Sequence, residues 1–246
     1  MTFRTEALER SFAGFRAVAG VSLEIPAGGV RTIIGPNGAG KTTLFNLLSG
    51  LLAPTAGRIY FGDREITGLP PFRRARLGIG RSFQITNIFG RLSVRENLRL
   101  AVAAAFDGKA NFLFPARAMR GVDAKTEQLL TDIGLSELGG QASETLSHGD
   151  QRRLEIGLAL ATDPRVLLLD EPLAGMSFAE TQATVDLIGR VGDGRTIVLV
   201  EHDIDVVMRI STTITVMQTG KILAIGTPQE IRDNEAVQRA YLGGLG

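Results

Sequence analysis

The chain has 246 residues, enough for one large domain or two small ones around a substantial core. A net charge of +1 supplies no global field for nucleic acid or an anionic membrane surface, and the absence of cysteine excludes a disulfide frame and a thiolate metal site. No targeting leader is expected from the opening residues. The longest apolar stretch, Leu100–Phe106, is far short of the roughly 20 residues a membrane span requires.

Residues 1–83 read as strand-rich, with short β-type runs at Val21–Ile25, Val30–Ile34 and Arg58–Phe61 between glycine and proline turns. Between Val30–Ile34 and the apolar stretch Leu44–Leu48 stands Gly35-Pro36-Asn37-Gly38-Ala39-Gly40-Lys41-Thr42-Thr43, a G-x-x-x-x-G-K-[ST] loop in its required strand-to-helix setting. Glycines at 35, 38 and 40 let successive N–H groups point at a phosphate unobstructed. Lys41 adds a point charge for the β- and γ-phosphates, and the Thr42 hydroxyl is placed to ligate Mg²⁺. A nucleoside triphosphate is the expected ligand. Further on, Arg73, Arg74 and Arg76 after Pro70-Pro71 read as a solvated helix face.

From about residue 84 to 160 the pattern turns helical, at Val94–Ala105, Asp123–Ile133 and Gln151–Ala161. The β pattern returns at Val166–Leu169, Thr196–Val200 and Ile214–Met217, and a Thr219-Gly220 turn leads into Lys221–Ile225. The run Val166–Leu169 fits a buried parallel strand that delivers Asp170 and Glu171 at its C-terminal end, where α/β sheets bind ligands. Asp170 suits the Mg²⁺ held by Thr42, and Glu171 suits a base or water-positioning residue for hydrolysis. Before the helix expected from Gln151 comes Leu146-Ser147-His148-Gly149-Asp150, in which Ser147 and Asp150 also fit a capping box.

At Leu146–Asp150 the chain resembles the ATP-binding cassette (ABC) family, whose signature loop has a Leu-Ser-Gly-Gly-Gln-type form. The resemblance covers nearly the whole chain, with the motifs in order. It implies that Gln84, after Arg-Ser-Phe, senses Mg²⁺ and contacts the membrane subunit, and that His202, after Glu201, contacts the γ-phosphate. It also implies that Phe12, with Phe15 as the alternative, stacks on adenine. The implied fold is a RecA-like P-loop α/β core with an antiparallel β subdomain and an inserted helical subdomain. Residues 1–83 and 161–246 would form the core and its β subdomain, and 84–160 the helical part. Ser147 and Gly149 would complete the ATP site of a second ATPase subunit, so that ATP joins two subunits and hydrolysis separates them.

Two departures fall where that partner is met: His148 and Asp150 in the signature, and Ser177 where the family often has aspartate. Within the family the chain is most similar to ATP-binding subunits of branched-chain amino acid importers. The carriers are Gly78-Ile79-Gly80-Arg81-Ser82-Phe83-Gln84, Leu146–Ile156, Ala174-Gly175-Met176, Arg239-Ala240-Tyr241-Leu242-Gly243 and an extra segment at 106–121. The implied partners are two transmembrane permease subunits and, through them, a substrate-binding protein, with the chain peripheral on the cytoplasmic face of the membrane and no nucleic acid involved. Relatives with similar motifs import urea or short amides, or export lipopolysaccharide. A soluble ABC ATPase acting on nucleic acid or the ribosome is the rival outside transport, but the fused cassettes, coiled-coil insert or basic extension usual in that class are absent.

Overall fold

The structure is a computed structural model describing residues 3–82, 88–106 and 116–242. Gln84 and most of the 106–121 segment, Phe112 and Phe114 included, lie outside the described residues. The chain opens with a long hairpin, β1 (Phe3–Phe12) and β2 (Phe15–Ile25), then β3 (Gly29–Ile34) and α1 (Lys41–Ser49). Next come β4 (Ala56–Phe61), β5 (Arg64–Glu65), α2 (Pro71–Arg76) and β6 (Ile79–Arg81). The helices α3 (Val94–Phe106), α4 (Ala116–Asp132) and α5 (His148–Leu160) follow. The chain then returns to strands with β7 (Val166–Asp170), α6 (Phe178–Gly192), β8 (Thr196–Val200) and α7 (Ile204–Ile210). It closes with β9 (Thr213–Gln218), β10 (Lys221–Gly226), α8 (Pro228–Arg232) and α9 (Glu235–Leu242).

Among the described residues the strands form two sheets: β2-β1-β4-β5, antiparallel throughout, and β10-β9-β3-β8-β7-β6. In the second sheet β9, β3, β8, β7 and β6 run parallel and β10 folds back antiparallel on β9. The central strands β7 (VLLLD) and β8 (TIVLV) are buried at every position, as strands covered on both faces must be. One core layer places α3, α4, α5 and α6 residues such as Leu98, Leu130, Leu154 and Leu187 against one face of that sheet. Another joins the antiparallel sheet and α1 to the opposite face through Leu8, Val18, Leu44, Leu47 and Leu48. Each side chain fully buried in this way contributes about 1.5–3 kcal/mol of transfer free energy.

Two local readings of the sequence are corrected. Arg74 is not on a solvated face: it is 1% exposed, while its neighbours Arg73 and Arg76 are exposed. Its Nη1 donates to Leu47 O and Leu48 O (2.8 and 2.7 Å), its Nη2 to Ile66 O and Thr67 O (2.9 and 3.0 Å) and its Nε to Leu69 O (2.9 Å). A cation is therefore buried because it donates to a ring of carbonyls at the C-terminus of α1 and in the turn after β5. Burial pulls the guanidinium down to about 10, which leaves it charged at neutral pH.

The second correction concerns α5, which begins at His148, inside the signature loop. Ser147 is its N-cap and accepts the Asp150 N–H at 3.2 Å, but the reciprocal half of a capping box is not formed. The Asp150 carboxylate instead pairs with Arg153.

Candidate active site

Register explains why residues far apart in sequence converge. Ile33 of β3 and Asp170 of β7 both pair with Val200 of β8, so three parallel strands end side by side. The phosphate-type loop follows β3, Asp170-Glu171 ends β7, and Glu201-His202 follows β8. The loop itself is braced from below. Gly40 has φ 97°, and a Cβ there would lie 2.2 Å from Ala17 O, so the loop rests directly on β2. The β9–β10 turn touches both: Gly220 N–H donates to Ala39 O (3.0 Å), and Ala19 N–H donates to Gly220 O (2.9 Å).

Lys41 and Thr42 open α1, whose first N–H groups face the loop interior. Lys41 Nζ is folded back onto Gly35 O (2.7 Å) and Pro36 O (3.1 Å). Burial lowers its pKa, and the charges of Glu171 and Asp170 work against that. Asp170 is 2% exposed. Its Oδ2 lies 3.4 Å from Arg81 Nη2, whereas Oδ1 is buried with no hydrogen-bond partner among the described residues. Burial raises the Asp170 pKa, and Arg81, the first opposing cause, does not cancel it. Arg81 is itself fixed by a 2.5 Å bond to Ser49 Oγ and by packing over the Phe45 ring at 5.0 Å.

An orphaned buried carboxylate oxygen at the strand end next to the loop that carries Lys41 fits a cation such as Mg²⁺. No group of three or more metal-type side chains exists among the described residues.

Glu171 follows in a left-handed conformation, φ 47°, which costs a non-glycine residue about 1 kcal/mol or more. Its N–H donates to Val200 O at 2.9 Å, fixing the turn against β8. Downstream, Leu173 packs with Val185 and Val206, and its N–H donates to Glu201 Oε1 at 3.0 Å. Glu201 is 1% exposed, and its Oε2 accepts the His202 N–H at 3.2 Å. The His202 ring is largely exposed at the same sheet edge. Phe12 ends β1 half-exposed, with the Arg10 guanidinium 4.6 Å over its ring, and Phe15 across the turn is still more exposed.

Ser147 and Gly149 lie apart from this edge, at the N-terminus of α5, bonded to Glu180 in the first turn of α6, the helix after the loop that follows Glu171. Ser177 in that loop is the N-cap of α6 and forms a full capping box with Glu180. Serine here therefore performs the capping that aspartate provides equally well.

The family model described as ABC transporter matches residues 18–174, and that described as branched-chain amino acid ATP-binding cassette transporter matches 221–244. The chain belongs to the ABC transporter family. Its relatives include the high-affinity branched-chain amino acid transport ATP-binding proteins LivG of Salmonella typhimurium and BraF of Pseudomonas aeruginosa. The first is 42% identical over 94% of both chains, the second 41% identical over 96% of this chain and 95% of the relative. A crystal structure of an ABC transporter cassette in its ADP conformation superposes with a TM-score of 0.85 at 29% identity, covering 99% of each chain. The two sheets and the helices α3–α5 are thus the ABC ATPase fold.

Three charged residues of this ABC cassette went unassigned from sequence. Arg81 stands inside a family string with no cue of its own, whereas Glu180 closes a Ser-x-x-Glu capping-box spacing from Ser177 that marks the start of α6 but not the bond to α5. An acid directly following an all-apolar strand was the one legible hint for Glu201.

Proposed function

We propose that this chain is the ATP-hydrolysing subunit that powers an ABC importer of branched-chain amino acids or a closely related small polar solute. The observation that carries the reading is the single sheet edge at which Lys41, Asp170, Glu171 and His202 meet, in a chain whose last segment matches the branched-chain cassette model. The loop Gly35–Thr43 cradles the phosphates of ATP. Thr42 and Asp170 hold Mg²⁺, which supplies charge neutralisation at the phosphates, and Gln84 senses it. Glu171 positions and deprotonates water, His202 meets the γ-phosphate, and Phe12 stacks on adenine. Ser147 and Gly149 serve the nucleotide of a second copy or of a paired ATPase subunit.

The permease partners meet the groove of about 450 Å³ between α3, α5 and β6, where Phe89 and Leu100 are exposed beside Arg81 and Glu155. No helix among the described residues is long and apolar enough to cross a membrane; in this reading the permease subunits hold the chain at the cytoplasmic face.

The test has two arms. Glu171→Gln should retain Mg·ATP binding, cut phosphate release about 10²–10⁴-fold and accumulate an ATP-bound dimer, while Lys41→Ala should lose nucleotide binding itself. Proteins co-purified with the wild-type chain from its own membrane should include a permease and a binding protein that takes up labelled leucine, isoleucine or valine. Turnover by Glu171→Gln at the wild-type rate would remove that residue from the chemistry.

A further inference from the structure

Glu180 lies in the first turn of α6, and its carboxylate is shared between two loops. Oε2 accepts the Ser177 N–H (3.0 Å) and the Ser177 hydroxyl (2.7 Å), completing the α6 cap. Oε1 accepts the Ser147 hydroxyl (2.9 Å) and the Gly149 N–H (3.1 Å) at the start of α5. Gly149 is buried, and a Cβ there would stand 2.7 Å from Glu180 Cγ, Cδ and Oε1, so only a glycine lets the carboxylate lie flat on the backbone. The site is solvent-facing, and four donors hold the Glu180 carboxyl down at about 2 without help from burial. Asp150, the other acid at this helix end, is turned away to Arg153.

We infer that Glu180 is a built-in competitor for the signature loop: its Oε1 holds the Ser147 and Gly149 donors that a phosphate brought by a second copy must take over before two copies close. The inference rests on the assignment of Ser147 and Gly149 to a second copy's nucleotide made above. One carboxylate oxygen cannot share both donors with a phosphate oxygen, since a hydroxyl and an N–H each have one proton to give. The more highly charged phosphate is the stronger acceptor and wins the exchange. Losing Oε1 contacts leaves Oε2 on Ser177, so the cap of α6 survives the exchange and the helix need not unwind. Glu180 thereby sets how much nucleotide and protein are required for closure.

The experiment measures ATP·Mg-dependent dimerisation by sedimentation velocity in the Glu171→Gln protein, which should hold its nucleotide. Adding Glu180→Gln, with Glu180→Ala as a second variant, should tighten the dimer about three- to tenfold while lowering the melting temperature of the nucleotide-free protein. In a Ser147→Ala background the gain from Glu180→Gln should shrink, because one of the contested donors is gone. Unchanged or weaker dimerisation in folded Glu180 variants would overturn the inference, as would an undiminished gain without Ser147. If the Glu171→Gln parent itself forms no ATP-dependent dimer, the nucleotide assignment of Ser147 and Gly149 fails, and this inference falls with it.

Discussion

Glu201 holds the Leu173 N–H on one carboxylate oxygen and the His202 N–H on the other, joining the loop after Glu171 to the segment that follows β8. The Glu201 carboxylate is almost fully buried, so water does not readily replace its bond to Leu173. Glu171 sits in a left-handed conformation two residues before Leu173, and such a conformation persists only where the surroundings over-determine it. Replacing Glu201 by glutamine turns one acceptor into a donor that faces an existing N–H. A lost or misdirected bond of about 1–3 kcal/mol here should appear as a fall in kcat of about tenfold or more. ATP affinity should hardly change. Steady-state phosphate release with parallel nucleotide binding separates the two.

Arg74 should be among the costliest positions to alter outside the site. Arg74→Ala removes five hydrogen bonds, two of them to carbonyls at the end of the helix that begins with Lys41. A stability loss of about 2–4 kcal/mol is expected from denaturant unfolding. Arg74→Lys should recover only part of it, because one ammonium cannot reach the points that the planar guanidinium covers.

Asp170→Asn tests the fit of Mg²⁺ to the orphaned Oδ1. The wild-type protein should bind a fluorescent ATP analogue more tightly with Mg²⁺ than with chelator, and the variant should lose about tenfold or more of that Mg²⁺-dependent gain. Because the folded carboxyl is raised by burial, the neutral side chain should also relieve a burial cost. The variant is therefore expected to be at least as stable as wild type in thermal melts without nucleotide. A Mg²⁺ dependence equal to wild type would exclude Asp170 from the metal site.

The acid limb of stability carries a signature of Glu180. Its folded pKa of about 2 lies below the ordinary 4.5, so its contribution is complete above the ordinary value and is lost as pH falls toward about 2. The melting-temperature gap between wild type and Glu180→Gln should accordingly narrow as the medium is acidified from about pH 6 to about pH 3. Asp150→Gln, by contrast, removes a carboxylate already matched by Arg153, and should leave ATP-dependent dimer affinity within about twofold of its parent.

What was legible in the sequence was whatever is carried by contiguous residues. The loop Gly35–Thr43, the apolar run ending in Asp170-Glu171 and the Thr219-Gly220 hairpin each hold strand, turn and chemistry within a dozen positions. Arg74 was misread because part of its reason for burial lies on α1, more than 20 residues upstream, and three arginines on a short helix otherwise suit water. The bridging roles of Glu180 and Glu201 were missed for a related cause: Ser147 and Leu173, which they hold besides their local partners, lie 33 and 28 residues away and are brought near only by tertiary packing. Even Ser177, read as a departure, kept its role, since capping depends on a short side-chain oxygen and not on charge.

The turn at Gly220 is the point where the most general and the most specialised parts of the chain touch. Its N–H and carbonyl fasten Ala39, in the nucleotide loop, to Ala19, on the outer hairpin, and the segment that matches the branched-chain cassette model begins at the very next residue. A load applied along that terminal segment therefore has a route to the glycine-rich loop through Gly220 that does not pass through α3–α5. Grafting the terminal segment of another cassette onto this chain would consequently alter the seat of the nucleotide as well as the tail.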